Sequence, residues 1–411
     1  MARVQLSGNP RARPGDEHLS ARTLPGVVYY DEGVFRQELE KLFFRHWLNV
    51  GHVSQVPHPG DFFTHDIGTE SLLFIRGNDD TVRGFYNVCR HRGTRIVTDE
   101  RGEKLRSIVC PYHAWSYSTE GRLVGAPHTD ALEEFDKEDF GLYPVRTDTW
   151  GGFIWANLDP AARPLREELA PLLKLTDHWD VGALQLGARH VYEVNANWKI
   201  LAENYSECYH CAPIHPGLNR VTPYFTGEND AWMARGKGGT MANVNGGFQT
   251  FAGDYTSMTV SGYTKRPPLK GTTAEDRRRI YYWVVFPNMF FSMHPDYLMI
   301  HRDWPQTPTR SKIECEWYFD AGTMAEPDFD PSDAVDMWDE INRQDWAVCE
   351  RTQLGVRSRA WERGRFSDQE PLVYDLDKAY ILRMTGKSDM YSKPRPRRKG
   401  ATSRKRGAGG T

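Results

Sequence analysis

Four residues in two short pairs, Cys89-x-His91 and Cys110-x-x-His113, stand on either side of the turn-rich stretch Thr98 to Gly102. Each pair offers one sulfur and one nitrogen from a single loop. Two thiolates and two imidazoles so placed suit a 2Fe–2S centre of mixed ligation, one iron held by the sulfurs and the other by the nitrogens. Imidazoles donate less charge than thiolates, so they raise the potential, and the centre works as a one-electron relay. Zinc accepts the same ligand types. Zinc half-sites, however, pair like residues or lead with cysteines, whereas here each pair reads Cys then His, with Gly93, Pro111 and Trp115 at the turns.

A relay needs something to reduce, and a second group of candidates lies in the stretch Asn197 to Pro216. It carries Glu203, Asn204, Glu207, His210 and His215, with Pro213 between the two histidines. A helix over Trp198 to Tyr209 would put Glu203 and Glu207 within about 60 degrees of His210, on one face, at about 100 degrees per residue. It would turn Cys208 about 160 degrees away, so Cys208 and Cys211 read as packing cysteines. A helix end at Pro213 would let His215 fold back beside His210. Two histidines and one carboxylate make the facial site of non-haem Fe(II), which leaves positions open for oxygen and substrate. Asp345 is the candidate carboxylate. It follows Trp338 and Ile341 and precedes Val348 on the apolar line of a late helix, where a buried acid needs a partner such as a cation. Glu340 is the weaker rival, and Asp339 and Glu350 lie off the line as solvated acids.

The elements that must carry these residues follow from period and punctuation. A helix is expected over Asp31 to Trp47, with Phe35, Leu39, Leu42, Phe43 and Trp47 on one face. From Val50 to Leu158 short strands dominate, at Ser71 to Arg76, Arg83 to Val88, Arg106 to Cys110 and Gly152 to Leu158, an all-β unit with the Cys–His loops at its tip. Further on, Pro164 to Leu175 and Asp333 to Ser358 read as helices, and Ile280 to Phe286, Met289 to Met293, Tyr297 to His301 and Lys312 to Phe319 as antiparallel strands. The class is α+β, a curved sheet wrapped on a helix. The expected units are residues 1–46, an N-terminal segment and helix packing on the second domain; 47–158, the all-β domain; 159–390, the mixed domain; and 391–411, a disordered tail. That tail holds eight basic residues between Lys393 and Arg406 and no acidic one.

Length and composition agree with two domains. The 411 residues include 13 Trp, 19 Tyr and 19 Phe, enough to line both cores. The formal net charge of -3 points to no nucleic-acid partner for the folded part, and no apolar run approaches the ~20 residues that span a bilayer. A soluble, cytoplasmic protein is expected. Six cysteines, two of them in the relay pairs, argue against a disulfide framework.

The segments Asn87-Val88-Cys89-Arg90-His91-Arg92-Gly93, Cys110-Pro111-Tyr112-His113-Ala114-Trp115 and Glu203-Asn204-Tyr205-x-Glu207-x-Tyr209-His210-x-x-x-x-His215 together resemble the large (α) subunit of Rieske non-haem iron oxygenases of the ring-hydroxylating type. The likeness runs from about Leu24 to Leu382. It implies an all-β Rieske domain and a helix-grip catalytic domain. Cys89, His91, Cys110 and His113 would hold the 2Fe–2S cluster, and His210, His215 and Asp345 would hold mononuclear Fe(II). Glu207 matches the acid that links the cluster of one subunit to the iron of its neighbour, with Asn204 beside it as a second catalytic residue. A homotrimer is implied for that reason. Electrons would come from NAD(P)H through a flavin or iron–sulfur reductase, with or without a ferredoxin. Glu at position 207, in the order Glu-Cys-Tyr-His-Cys, resembles the branch acting on glycine betaine, stachydrine or carnitine. O2 would then be used to hydroxylate an N-methyl group of a quaternary amine. The alternatives are ring hydroxylation of an aromatic acid, and a Rieske electron carrier without oxygenase activity. A quaternary ammonium needs ring faces, and Tyr281, Tyr282, Trp283, Phe286, Phe290 and Phe291 are the candidate box.

Overall fold

The structure is a computed structural model that describes residues 17–229 and 243–386. The basic stretch between Lys393 and Arg406 lies outside the described residues.

Two seven-stranded antiparallel sheets organise the chain. The first contains β1 (Leu48–His52), β2 (Phe62–Ile67), β3 (Glu70–Arg76), β4 (Val82–Tyr86), β5 (Arg101–Gly102), β9 (Pro144–Trp150) and β10 (Phe153–Asn157), in the order β1-β10-β9-β4-β3-β2-β5. Between β5 and β9 a small sheet of β6 (Ile108–Val109), β7 (Ser116–Tyr117) and β8 (Leu123–Gly125) carries the second Cys–His loop. The two loops share one backbone design. The Cys89 carbonyl accepts from Gly93 N–H at 3.0 Å and the Cys89 N–H donates to Thr94 O at 2.8 Å; Cys110 does the same with Ala114 (3.1 Å) and Trp115 (2.8 Å). Closing so tight a turn drives its fifth residue to positive φ, +76° at Gly93 and +56° at Ala114.

The second sheet runs β11 (Leu184–Val194), β17 (Arg310–Asp320), β16 (Leu298–Thr307), β15 (Met289–Met293), β14 (Arg279–Val285), β13 (Val244–Thr250) and β12 (Glu228–Asn229). Its concave face receives α4 (Trp198–Tyr205) and the 24-residue α8 (Ser332–Gly355). Before these come α1 (Glu32–Glu38), α2 (Leu165–Glu168) and α3 (Ala170–Leu175); α5 (Cys211–Ile214) and α6 (Pro216–Val221) follow α4, α7 (Ala321–Met324) precedes α8, and α9 (Pro371–Thr385) closes the described chain. A buried polar knot ties three helices together. Glu38 of α1 accepts from Lys199 Nζ at 2.6 Å, Trp198 Nε1 at 2.9 Å and Tyr380 Oη at 2.7 Å.

Several element boundaries differ from the sequence reading. The first helix ends in a π-turn over Leu39–Phe43, so Trp47 lies outside it, where its indole N–H donates to Arg163 O at 2.8 Å. The expected helix Pro164 to Leu175 breaks at Leu169 into α2 and α3. Helix α4 ends at Tyr205, four residues before the expected Tyr209, because Ser206 turns its hydroxyl back onto Ala202 O at 2.6 Å and residues after it leave the helix. Strands β11 and β13 and helix α9 were not anticipated: β11 carries Arg189 and His190 among its half-buried positions, and β13 has a Gly-Gly centre.

Candidate functional site

The loop between α4 and α5 is where the sequence reading and the structure part most. Because residues 206–210 are not helical, the wheel that put Glu203, Glu207 and His210 on one face does not apply. Glu203 stays on α4 and turns into the protein, accepting from Tyr29 Oη at 2.7 Å; burial pushes its carboxyl up to about 7, against the pull of Tyr29 and Lys199. Glu207 instead caps the loop, accepting from the N–H of Tyr209 and, at 3.2 Å, of His210. Its other oxygen meets His210 Nδ1 at 2.5 Å. The break that frees His215 also falls elsewhere. Pro213 sits inside the one-turn helix α5, and His215 itself, at φ -118° and ψ 70°, is the joint before Pro216 opens α6. Cys208 points toward Cys211, and the pair forms a disulfide rather than two packing thiols.

This arrangement brings His210, His215 and Asp345 together, with one ligand atom from each lying within 4.8 Å of the others. Asp345 Oδ1 stands 3.1 Å from His210 Nε2 and 2.9 Å from His215 Nε2. Both rings are anchored through their other nitrogen: His210 Nδ1 by Glu207, and His215 Nδ1 by Gln344 Oε1 at 2.7 Å. Carboxylate and amide oxygens can only accept here, so each Nδ1 carries the proton and each Nε2 lone pair is turned to the common point. Gln344 was missed in the sequence; its place one residue before Asp345 was the available signal.

The electrostatics fit a cation. Burial opposes a charged His210, yet the hydrogen bonds it donates to Asp345 and Glu207 overcome it and push the ring up to about 10. Burial likewise opposes ionised Asp345, and the two histidines hold it at about 2. A site that concentrates negative potential on two Nε2 atoms and a carboxylate matches a divalent metal, which would take the place of the ring proton. The rival acids are engaged elsewhere. Asp339 accepts from Tyr192 at 2.7 Å and Arg343 at 2.7 Å, Glu340 from Gln344 Nε2 at 3.1 Å, and Glu350 from the backbone and side chain of Asn195. Asp339 and Glu350 are thus bonded acids, not merely solvated ones. Asn204 reaches the side of His210 that faces Asp345, its Nδ2 3.4 Å from Nε2.

The relay residues meet at the tip of the first domain. Cys89 and Cys110 are buried, while the His91 and His113 rings lie 4.7 Å apart at the rim, and Trp115 stacks on His91 at 4.9 Å. Two enclosed sulfurs behind two rim imidazoles are the donor set and order that a mixed-ligand 2Fe–2S cluster takes. Tyr117, also missed, sets its hydroxyl 3.4 Å from Cys89 Sγ and accepts from Arg90 N–H at 3.0 Å.

A cavity of ≈ 280 Å³ opens from the His210–His215–Asp345 trio. Its floor is one face of β13 and β14. Register pairs Gly247 with Tyr282, and Tyr282 with Ser292, so residues sharing that face alternate along each strand. Of the expected aromatic box only Tyr282 lines the cavity. Tyr281, Trp283 and Phe291 project from the opposite face into a separate core, Phe290 lies under Tyr205 at 4.5 Å, and Phe286 is buried in the main core. The other aromatic residues that line the cavity are Tyr205, Tyr224 and Trp338, while the Phe248 ring, paired across the strands with Tyr281, lies 5.9 Å from the Tyr281 ring on the opposite face.

Comparison with known proteins agrees with both halves. Residues 46–136 match the family described as Rieske [2Fe-2S] domain, and residues 181–386 the family described as ring hydroxylating alpha subunit (catalytic domain). The glycine betaine monooxygenase oxygenase subunit of Pseudomonas aeruginosa (strain UCBPP-PA14) is 28% identical over 365 residues, covering 84% of this chain and 85% of the relative. The carnitine monooxygenase oxygenase subunit of Escherichia coli (strain K12) is 38% identical over 201 residues, 48% of this chain and 54% of the relative. Among solved structures, the quaternary ammonium Rieske monooxygenase CntA in complex with L-carnitine superposes with a TM-score of 0.72 at 26% identity, covering 90% of this chain and 96% of that one. Among the described residues no helix is long and apolar enough to cross a membrane.

Proposed function

The chain belongs to the ring-hydroxylating alpha-subunit family, and from that premise we propose that it oxidises an N-methyl carbon of a quaternary amine. It is a Rieske oxygenase terminal subunit, with a 2Fe–2S centre and a mononuclear iron as in the family. The observation that carries the assignment of its iron site is the convergence of His210, His215 and Asp345 within 4.8 Å, each ring anchored through Nδ1. In this reading those three residues hold the iron, and Cys89, His91, Cys110 and His113 hold the cluster.

When bound, the two iron centres supply one-electron transfer and dioxygen activation. The chain's own residues do the rest. Gln344 and Glu207 keep the proton on Nδ1 of their rings, so that both Nε2 atoms stay free for metal. Glu207, half-buried at the loop, is also the residue positioned to touch a neighbouring subunit's His113 or His91, and so joins a relay to the iron in a homotrimer. Asn204 steadies the open side of His210. The rings of Tyr205, Tyr282 and Trp338 form walls that hold a methylated cation by their faces. Overall, R3N+–CH3, O2, two electrons and two protons give R3N+–CH2OH and water; loss of formaldehyde and a proton then leaves the tertiary amine. The electrons come from NAD(P)H through a separate reductase.

The test is iron and product analysis of the reconstituted system. Three irons and two acid-labile sulfides per chain, with formaldehyde formed from a quaternary amine, are expected. Two irons per chain would indicate an electron carrier, and diol formation from an aromatic acid would indicate a ring dioxygenase. Asp345→Ala should lose the third iron and keep the cluster; unchanged iron content in that variant refutes the ligand assignment.

A further inference from the structure

Three of the rings that line the cavity stand steeply to one another. Tyr205 meets Tyr282 at 77° and Tyr282 meets Trp338 at 69°, with centroids 6.2 and 6.3 Å apart. Trp338 is the wall supplied by α8, on the face that also brings Ile341 and, two turns on, Asp345 to the cavity. Its polar edge is committed behind that wall. Trp338 Nε1 donates to Tyr297 Oη at 2.7 Å, and Tyr297 Oη donates in turn to Met258 O at 2.8 Å. Chemistry fixes the direction of both bonds, because an indole N–H can only donate and a carbonyl oxygen can only accept. Tyr297 and Met258 are fully buried, and Tyr297 is not among the residues lining the cavity. His294 stacks on the Tyr297 ring at 4.0 Å and meets Trp338 at 5.6 Å and 74°.

A ring that holds a methylated cation does so through the electron density of its π system, in an orientation that must be kept. The chain from indole to phenol to carbonyl serves both needs. The bond to Tyr297 fixes the Trp338 rotamer by its polar edge, since swinging the indole away would leave an N–H unpaired in the core. Each bond also polarises the next. The Met258 carbonyl makes the Tyr297 oxygen a better acceptor, and that oxygen draws on the indole proton and leaves the ring more electron-rich. Resting on the reading that the site takes a quaternary amine, we propose that Tyr297 is a positioning residue for substrate, setting through Trp338 the wall against which the ammonium head lies. Its hydroxyl serves recognition of positive charge and does not fill the cavity. The phenyl ring alone would pack against His294 in the same way.

Tetramethylammonium and tert-butanol are a matched pair for the test: a bare quaternary head group and a neutral molecule of similar size, with no substrate tail to confuse the comparison. The ratio of their affinities for the iron-loaded holoenzyme, measured by calorimetry under anaerobic conditions, reads the part of binding that recognises charge. Iron content shows that the trio is intact. The parent is expected to favour tetramethylammonium, and Tyr297→Phe should lower the ratio by about threefold or more with iron content unchanged. Trp338→Phe, which removes the indole donor and leaves Tyr297 in place, should lower it as well. In that background Tyr297→Phe should change the ratio no further, because Tyr297 acts through the indole. A ratio that stays at the parent value in either single variant, or an equal loss of affinity for both probes, overturns the positioning role while the quaternary-amine reading stands. A parent that binds tetramethylammonium no better than tert-butanol overturns both.

Discussion

Gln344→Ala isolates what a single anchoring bond contributes to the proposed iron site. His215 is 1% exposed, and once Gln344 Oε1 is gone from its 2.7 Å contact, Nδ1 has lost its acceptor side chain. Two responses are open to the ring. It keeps the Nδ1 proton as a buried unpaired donor, which costs about 1–3 kcal/mol. Alternatively it moves the proton to Nε2, and the lone pair needed for metal is lost. Either way iron binding should weaken by about 10–100-fold, the usual range for removing a hydrogen-bond partner behind a metal-ligating histidine. The assay is chelator competition on cluster-loaded protein, with acid-labile sulfide as an internal control because Cys89 and Cys110 belong to the other domain. Gln344→Glu should retain or strengthen binding, since a carboxylate accepts the same proton. Iron affinity within twofold of the parent in Gln344→Ala, or parallel loss of sulfide, would refute this account.

Other outcomes follow from named contacts. Tyr117→Phe removes the hydroxyl 3.4 Å from Cys89 Sγ, and with it a bond that favours the more negative reduced cluster, so redox titration should show a lower potential. Gly247→Val puts a branched side chain on the cavity face opposite Tyr282; calorimetry should show substrate binding lost with iron content unchanged. Lys199→Met leaves Glu38 buried without its cation, and denaturant titration should show a loss of about 3–5 kcal/mol. Glu203, raised by burial to about 7, binds its proton more tightly folded than unfolded, so it contributes stability at low pH that declines as pH climbs from the ordinary carboxylate range to about 7. Glu203→Gln should flatten that decline in thermal melts; an unchanged slope would exclude Glu203 as its source.

Residue identity was more legible in the sequence than residue direction. The Cys–His pairs and the acid on the apolar line of α8 stood out because thiols, imidazoles and a misplaced carboxylate are expensive to bury without a reason. Strands β14 to β17 were readable because β-branched and aromatic residues alternate with turn residues around them. Which face of a strand meets the cavity was not readable. Tyr281 and Tyr282 are chemically alike and adjacent, and only the register of β14 against β13 and β15 sends one to the cavity and the other away. Helix α4 was overrun because Glu207 to Tyr209 have no propensity against a helix. The stop is local competition, with Ser206 bonding back to Ala202 O and Glu207 capturing the next N–H groups.

That stop gives the two glutamates of the motif separate work. On a continued helix Glu203 and Glu207 would have flanked one face, and both would have faced the metal with their charges unpaired. In the folded chain Glu203 remains helical and is consumed by the buried set around Tyr29 and Lys199, which fixes α4 against α1 and α9. Glu207, released into the loop, can bond His210 Nδ1 with one oxygen and the loop N–H groups with the other while remaining near the surface. A residue that must orient a metal ligand and also be reached by a second subunit cannot lie inside a packed helix face. The departure from helix at Ser206 is therefore the structural condition for the bridging role proposed for Glu207. Ser206→Ala tests it: without the hydroxyl bond to Ala202 O the helix should extend, and electron transfer to the iron should slow in single-turnover experiments while cluster reduction by the reductase stays unchanged. Unaltered single-turnover rates would mean that the loop is held open by Glu207 alone.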